Sequence, residues 1–210
     1  MAGEIDARGV ILRLISAIEE NKAWLSEIDG AVGDGDHGIN MAKGLSMVRA
    51  GMDTQPDDLG GLLRYVGMTL VTHIGGAMGP IYGTFFMKMG KSVEGRRSIE
   101  VEDLENMLSQ ALEGVKKRGG AEKGDKTLVD TLDAALIGYK RAMKEGMGLG
   151  AAIDVMIEHA RRGMESTRDM VAKKGRSSRL GDRSKGTIDA GAASCYIILK
   201  AMGESIKESD

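Results

Sequence analysis

The sequence predicts an all-α, single-domain fold, a barrel or bundle of about eight amphipathic helices. Apolar residues recur at every third or fourth position over most of the 210 residues, which is the period of an α-helix. We find no run of alternating β-branched residues that would indicate a strand. Only 3% of the residues are aromatic and 15 are Met, so we expect an aliphatic core with Met as filler.

The apolar stripes place the helices in order along the chain. Stretches with such a stripe cover residues 10–28 (with a break near Asn21), 60–72, 80–91, 101–115, 128–143, 149–164 and 190–202. Glycine clusters at 30–38, 75–83, 119–124 and 175–191 lie between helix-like stretches. We therefore expect four glycine-rich loops that can build one end of the bundle, where sites usually lie.

Composition excludes several classes of protein. With 29 Lys and Arg against 31 Asp and Glu, the net charge is −2, which excludes a polybasic nucleic-acid binder. A single cysteine, Cys195, excludes a disulfide framework and a multi-cysteine zinc site. No apolar run approaches the ~20 residues of a membrane span, and the N-terminal segment lacks the features of a signal peptide. We expect one cytoplasmic domain over residues 1–210, without nucleic-acid or membrane partners.

The segment from Glu27 to Gly44 carries three acids within eight positions, Asp29, Asp34 and Asp36. Carboxylates this close repel one another, and Mg²⁺ would remove that penalty while keeping sites for water and phosphate oxygens. Asp36 alone is better explained as a helix cap, and Asp34 alone as a turn residue. The three acids together, with flanking glycines, favour a metal site.

Two familiar motifs fit this segment poorly. The letters GDGDHG match a dinucleotide fingerprint, but no strand precedes them and two Asp would face the pyrophosphate. An EF-hand that starts at Asp34 would place Leu45 where the Glu ligand belongs.

Two other glycine-rich segments suggest an anionic ligand. In Gly75–Phe86 the glycines allow backbone N–H groups to approach an anion at the start of a helix near Pro80. Taken alone, this segment is better explained as a tight turn between helices, and the absence of GK[ST] excludes a P-loop. The segment Lys173–Ala192 is basic, and a helix is predicted to start at Asp189 near its end. We interpret the segment as either a lid over an anionic ligand or an exposed loop.

The segment Arg118–Leu132 precedes a further helix, for which Asp125 or Thr127 is the predicted first residue. Lys126 could contact a phosphate, but a capped helix with a solvated lysine explains the segment better. Clustered acids with glycine turns and a basic loop together suggest a nucleotide bound through Mg²⁺.

Four segments resemble, in order, the nucleotide-binding L subunit of dihydroxyacetone kinase: VGDGDHGINMAKG, GGAMGPIYGTFF, GDKTLVDTLDAA and KGRSSRLGDRSKGTIDAGAAS. The resemblance extends from about Ile11 to Met202. It implies an antiparallel barrel of eight α-helices with the nucleotide at one end.

The resemblance also implies roles for individual residues. The acids Asp29, Asp34 and Asp36 would hold two Mg²⁺ ions that bridge the nucleotide phosphates. The implied ADP or ATP contacts are His37, Gly38, Ile39, Asn40, Ala77, Met78, Gly119, Leu128, Arg176, Asp189, Ala190 and Gly191. Two positions depart from the family pattern, since Met78 replaces a usual serine and Ala190 a usual proline.

The implied activity is phosphoryl transfer to dihydroxyacetone held by a separate K subunit. Members of the family either exchange ATP or keep ADP bound while a phosphohistidine protein of the sugar phosphotransferase system rephosphorylates it. The chain length of 210 residues and the segment 180–186 favour the second mode. Alternatives are an ATP-dependent subunit for another ketose or polyol, a nucleotide-sensing regulatory module, and a helical protein that binds a cation incidentally. A homodimer is compatible with each.

Overall fold

The computed structural model describes residues 4–209, so residues 1–3 and Asp210 of the predicted domain lie outside the described residues. The described part contains nine α-helices: α1 (Ala7–Glu20), α2 (Lys22–Gly30), α3 (His37–Gly51), α4 (Leu59–His73), α5 (Met78–Ser92), α6 (Val101–Gly119), α7 (Leu128–Lys144), α8 (Leu149–Ser166) and α9 (Ala190–Glu208). Short 3₁₀ helices cover Met52–Thr54, Thr167–Asp169 and Arg176–Ser184. No strand occurs between residues 4 and 209, so the all-α prediction is confirmed.

Eight of the helices in the described chain close into a ring. From α3 to α9 each helix packs on the next, and α1 packs on both α3 and α9 and thereby closes the circle. The remaining helix, α2, packs on α3 and α9. Neighbouring helices of the ring are antiparallel. The helices α3, α5, α7 and α9 all begin at the end of the ring where α4 and α6 finish. The observed fold is therefore the antiparallel barrel of helices that the sequence analysis predicts.

The core inside the ring is aliphatic, as the composition predicts. Every turn of α1 contributes a buried side chain from its inner face, for example Leu14 and Ile18. Phe85 and Phe86 pack edge to face on α5 with ring centroids 5.0 Å apart. Cys195 is also buried in this core, and burial raises the pKa of its thiol well above the usual value, so it is a packing residue. None of the helices described is both long and apolar enough to cross a membrane.

Glycines bring the backbones of α4 and α5 into direct contact. A Cβ on Gly67 would lie 2.7 Å from the carbonyl oxygen of Gly83, and one on Gly90 would lie 2.5 Å from that of Gly60. Backbone atoms cannot move aside as a flexible side chain can. These glycines therefore set the distance between the two helices, and with it the position of the loop 74–77 that joins them.

We expect Gly67→Ala to lower the free energy of unfolding by about 1–3 kcal/mol, because the added methyl group overpacks this contact. Gly150→Ala is the matched control, since its Cβ would meet only the flexible side chain of Lys207, at 3.2 Å. This control should leave stability unchanged or raise it by up to ~1 kcal/mol through helix propensity. Urea denaturation of both variants measures the difference, and equal effects would contradict close packing at Gly67.

Candidate functional site

A cavity of about 680 Å³ opens at the end of the ring where α3, α5, α7 and α9 begin. Its volume lies in the range of small-molecule and cofactor sites. The N-cap residues of these four helices all line it: Asp36, Ala77, Thr127 and Asp189. All four glycine-rich segments of the sequence therefore contribute to a single site, as expected for loops at one end of a bundle.

The four helix N-termini differ in how their free backbone N–H groups are used. Thr127 accepts a hydrogen bond from the N–H of Val129, and Asp189 accepts one from Ala192, so α7 and α9 are capped by their own chain. At α3 and α5 the N-cap side chains make no such bond, although Asp29 Oδ2 accepts the first N–H of α3, that of His37, at 3.3 Å. Uncapped N–H groups at the positive end of a helix dipole attract anions. The α3 and α5 ends therefore form the side of the cavity that suits phosphate.

The three acids meet beside the start of α3. Asp29 lies in the last turn of α2, Asp34 in the following loop and Asp36 at the N-cap of α3, with one carboxylate oxygen from each within 4.8 Å of the others. A Cβ at Gly33 would lie 2.8 Å from Asp29 Oδ1, so this glycine makes room for the carboxylate. Three convergent carboxylate oxygens are hard ligands that fit Mg²⁺.

The interpretation of Asp36 as a helix cap is correct in position, but the expected capping hydrogen bond is absent. Asp36 is the N-cap residue of α3, but its side chain accepts no capping hydrogen bond. Instead Asp29 Oδ2 accepts the first N–H of the helix, from His37, at 3.3 Å. Asp36 therefore keeps its carboxylate available to a ligand in the cavity.

Arg176 connects the basic segment to these acids. Its guanidinium forms an ion pair with Asp34 and lies 4.0 Å from Asp36. The arginine side chain is 62% exposed, so the pair contributes at most about 1 kcal/mol to stability. Through Arg176 the basic segment Lys173–Ala192 thus reaches the acids at the cavity, as a lid would, and does not stand free as an exposed loop would.

Lys126 is neither solvated nor free to contact a phosphate. Its side chain is 1% exposed, its backbone has φ +61°, and its ammonium group donates to the carbonyl oxygens of Thr167, at 2.6 Å, and Thr187. Burial lowers the pKa of this ammonium group. Next to it, Lys173 forms an ion pair with Asp125 at 3.1 Å. The two lysines fasten both ends of the closing segment to the loop before α7.

A buried polar cluster on the cavity wall was missed by sequence reasoning. His37 Nε2 lies 2.8 Å from Ser194 Oγ, and that oxygen lies 2.5 Å from the hydroxyl of Tyr82. His37 is 9% exposed, and burial lowers the pKa of its imidazole to about 4. It is therefore neutral at physiological pH. Nothing in the spacing along the chain relates these three residues, which lie on three different helices.

Residues 31–204 match the model of the DAK2 domain family. The chain belongs to this family. Among its relatives is the ADP-binding subunit DhaL of PEP-dependent dihydroxyacetone kinase 1 from Listeria innocua, which is 40% identical over 88% of each chain. The corresponding subunit of Escherichia coli is 36% identical over 88% of this chain and 89% of its own.

The DAK2 fold of this chain also occurs in a solved kinase. The crystal structure of the dihydroxyacetone kinase from C. freundii in complex with AMP-PNP and Mg²⁺ matches 95% of this chain, with a TM-score of 0.66 and 28% identity. This chain spans about a third of the solved kinase chain, 33% of its length.

The structure brings most of the predicted contacts of this DAK2 chain to the cavity. The predicted residues that line it are Asp29, Asp34, Asp36, His37, Asn40, Ala77, Met78, Gly119, Leu128, Arg176, Asp189, Ala190 and Gly191. Gly38 and Ile39 are not among them. A Cβ on Gly38 would collide with the carbonyl oxygen of Lys22, so this glycine allows α3 to pack on α2. Ile39 is 51% exposed on the surface of the barrel.

We expect Lys126→Met to lower the free energy of unfolding by about 1–3 kcal/mol, because two carbonyl groups lose their donor in a buried position. Lys140→Met is the control, since that lysine pairs with Glu105 at the surface and should change stability by at most about 0.5 kcal/mol. Urea denaturation compares the two, and hydrogen exchange should increase over residues 185–189 in Lys126→Met only. Equal effects on stability and exchange would mean that the buried ammonium does not hold the segment.

Proposed function

We propose that this chain is the nucleotide-binding subunit of a two-part kinase and transfers a phosphoryl group through Mg²⁺-bound nucleotide. The observation that carries the proposal is that three convergent carboxylates and two helix N-termini without a hydrogen bond from their N-cap side chains, those of α3 and α5, line the same cavity. Carboxylates without a metal ion would repel a phosphate. Helix N-termini can bind a phosphate without any acidic residues nearby. A nucleotide with its metal ion uses both, because the ion joins the acids to the phosphate oxygens.

Another part of the cavity lining suits a nucleotide base. Ile81, Val115, Ala121 and Leu128 present apolar surface there. Ile81 lies against Gly119, since a Cβ on that glycine would be 2.9 Å from its methyl group. A cavity lined by apolar side chains as well as by N–H donors and carboxylates suits an amphipathic ligand such as ADP.

In this proposal the protein aligns the reactants and does little covalent chemistry. Mg²⁺ held by the acids would neutralise charge on the transferring phosphoryl group. The first-turn N–H groups of α3 and α5 would bind phosphate oxygens, and Arg176 would exchange its carboxylate partners for phosphate as the segment closes and excludes water. His37 is neutral, so it serves as a hydrogen-bond partner.

We further propose that the acceptor is dihydroxyacetone on a separate K subunit. Under this proposal ADP stays bound and is rephosphorylated by a phosphohistidine protein of the sugar phosphotransferase system. Two relatives that this chain covers almost end to end are named as ADP-binding subunits of PEP-dependent dihydroxyacetone kinases, which supports this mode. We also propose that residues 1–210 form one L-type domain, since eight of the nine described helices form a closed ring and α2 packs on it.

We expect Asp34→Asn to weaken Mg²⁺-dependent ADP binding by more than about 10-fold, since a metal ligand loses its charge. Asp53→Asn is the matched control, because Asp53 also pairs with an arginine, Arg8 at 3.7 Å, on a distant exposed surface. Calorimetric titration of ADP with and without Mg²⁺ measures both. Wild-type affinity in Asp34→Asn would show that the acids are not metal ligands.

The phosphoryl-transfer proposal predicts that this chain alone forms no dihydroxyacetone phosphate. With a K subunit and a phosphohistidine donor, one equivalent of ADP should support many turnovers, because the nucleotide is recharged in place. A reaction that instead consumes one ATP per product would establish the ATP-dependent alternative. No product under either condition, despite nucleotide binding, would favour a regulatory module.

A further inference from the structure

Positive charge is concentrated in the stretch of chain beside the cavity, residues 168–185. This stretch contains only two acids, Asp169 and Asp182, although the whole chain has a net charge of −2. Its seven cations are Arg168, Lys173, Lys174, Arg176, Arg179, Arg183 and Lys185. The remainder of the sequence therefore carries a net negative charge, and the stretch is the basic exception.

Two of these seven cations have no partner in the described chain. An acid or a carbonyl oxygen accompanies four of the others, which are Arg168, Lys173, Arg176 and Lys185. Lys174 lines the cavity itself. Arg179 and Arg183 are exposed, and neither forms an ion pair or a side-chain hydrogen bond within residues 4–209.

The lack of a partner is unusual for an arginine of this protein. Outside the stretch, every arginine between residues 4 and 209 except Arg118 lies within ion-pair distance of an acid. Arg118 lies in the last turn of α6, where the negative end of the helix dipole accounts for a cation. Arg179 and Arg183 lie in a 3₁₀ segment that Gly181 interrupts with non-helical backbone angles. No continuous helix dipole accounts for them.

The two arginines lie outside the cavity but on a defined surface next to it. The residues Lys174–Ser177 of the same segment line the cavity, whereas Arg179 and Arg183 do not. Next to Arg183, the side chain of Ser184 is fully buried, and its hydroxyl accepts the N–H of Ala172 at 2.9 Å. The segment is therefore anchored to the protein beside Arg183. A ligand of these arginines has to approach from outside.

Under the proposed function two proteins reach the cavity in turn, and their reacting groups differ in charge. The acceptor is a neutral ketone. The donor carries a phosphohistidine with about two negative charges, and it must approach an ADP that is itself anionic. In that step the P–N bond of the phosphohistidine breaks, a P–O bond to the β-phosphate of ADP forms, and the released imidazole takes up one proton from water. Exposed cations beside the cavity lower the repulsion between the two anions, so they suit the donor better than the acceptor.

We propose that Arg179 and Arg183 form a docking surface for an acidic face of the protein that donates the phosphoryl group to bound ADP. The proposal rests on the proposed function, since it concerns the partner that recharges the nucleotide in the same cavity. The two arginines act on the encounter between the proteins, which charge accelerates over a distance. They touch neither the nucleotide nor the reacting atoms.

The double variant Arg179→Glu/Arg183→Glu tests this surface by reversing both charges. The assay is single-turnover transfer from the phosphohistidine donor to the chain loaded with ADP and Mg²⁺, without the K subunit, so that only this step is measured. At low salt the second-order rate constant should fall by about 10-fold or more. The loss should shrink to less than about 2-fold near 1 M salt, where the screening length is about 3 Å.

The matched control is Lys91→Glu/Lys144→Glu, which makes the same change of net charge at the other end of the barrel. Both lysines are exposed and form no ion pair within residues 4–209. They lie in the last turns of α5 and α7, two helices that begin at the cavity. The control should transfer at the wild-type rate, and calorimetry should give the wild-type ADP affinity for both double variants.

The outcomes separate this proposal from the proposed function. If the ADP-loaded wild type accepts no phosphoryl group from the donor, the proposed rephosphorylation fails and the docking surface with it. If the wild type reacts and the Arg179→Glu/Arg183→Glu variant reacts equally fast, or loses as much at high salt as at low salt, the docking surface is wrong and the proposed function stands. A loss of ADP affinity would assign the arginines to nucleotide retention. An equal loss in transfer to dihydroxyacetone on the K subunit would overturn the choice of the donor.

Discussion

The convergence of four helix N-termini on one cavity is the constraint on which the rest of the structure depends. An antiparallel ring places every second helix start at the same end, and there the chain turns through its glycine-rich loops. The free N–H groups of those helices must find acceptors. At α7 and α9 the acceptors are Thr127 and Asp189 of the chain itself, whereas at α3 and α5 the N-caps supply none. Asp29 accepts the first N–H of α3, and under the proposed function the phosphates of the nucleotide would accept the other free N–H groups of these two helix ends.

Acidic and basic side chains lie side by side at this end of the barrel, and a nucleotide bound through Mg²⁺ would use both. The three acids would repel a phosphate, and Arg176 now partly neutralises them by pairing with Asp34. Mg²⁺ would replace the guanidinium in that role and free it for the phosphate. The proposed metal ion and the segment that carries Arg176 would thus compete for the same carboxylates, while the buried Lys126 holds Thr187 at the far end of that segment.

Periodicity predicted seven of the eight ring helices because each buries one apolar stripe. Local chemistry predicted the start of α9 at Asp189 and that of α7 at Asp125 or Thr127, and the structure has Thr127 as the N-cap of α7. The apolar stripes did not predict α3, whose buried residues include several small ones such as Gly38 and Gly44. The Tyr82–Ser194–His37 cluster was beyond sequence reasoning: the resemblance implied a nucleotide contact for His37, but nothing in the sequence relates it to Tyr82 and Ser194 on two other helices. The burial of Lys126 likewise depends on the carbonyl groups of distant loops.

The nucleotide and Mg²⁺ content of the freshly purified protein tests the central claim most directly. The protein is denatured, and released ADP, ATP and Mg²⁺ are quantified against the chain. We expect about one nucleotide per chain, mostly ADP, accompanied by Mg²⁺, because the segment at the cavity mouth and the free first-turn N–H groups of α3 and α5 would retain the phosphates. A protein that is empty as purified and binds neither nucleotide when Mg²⁺ is added would contradict it.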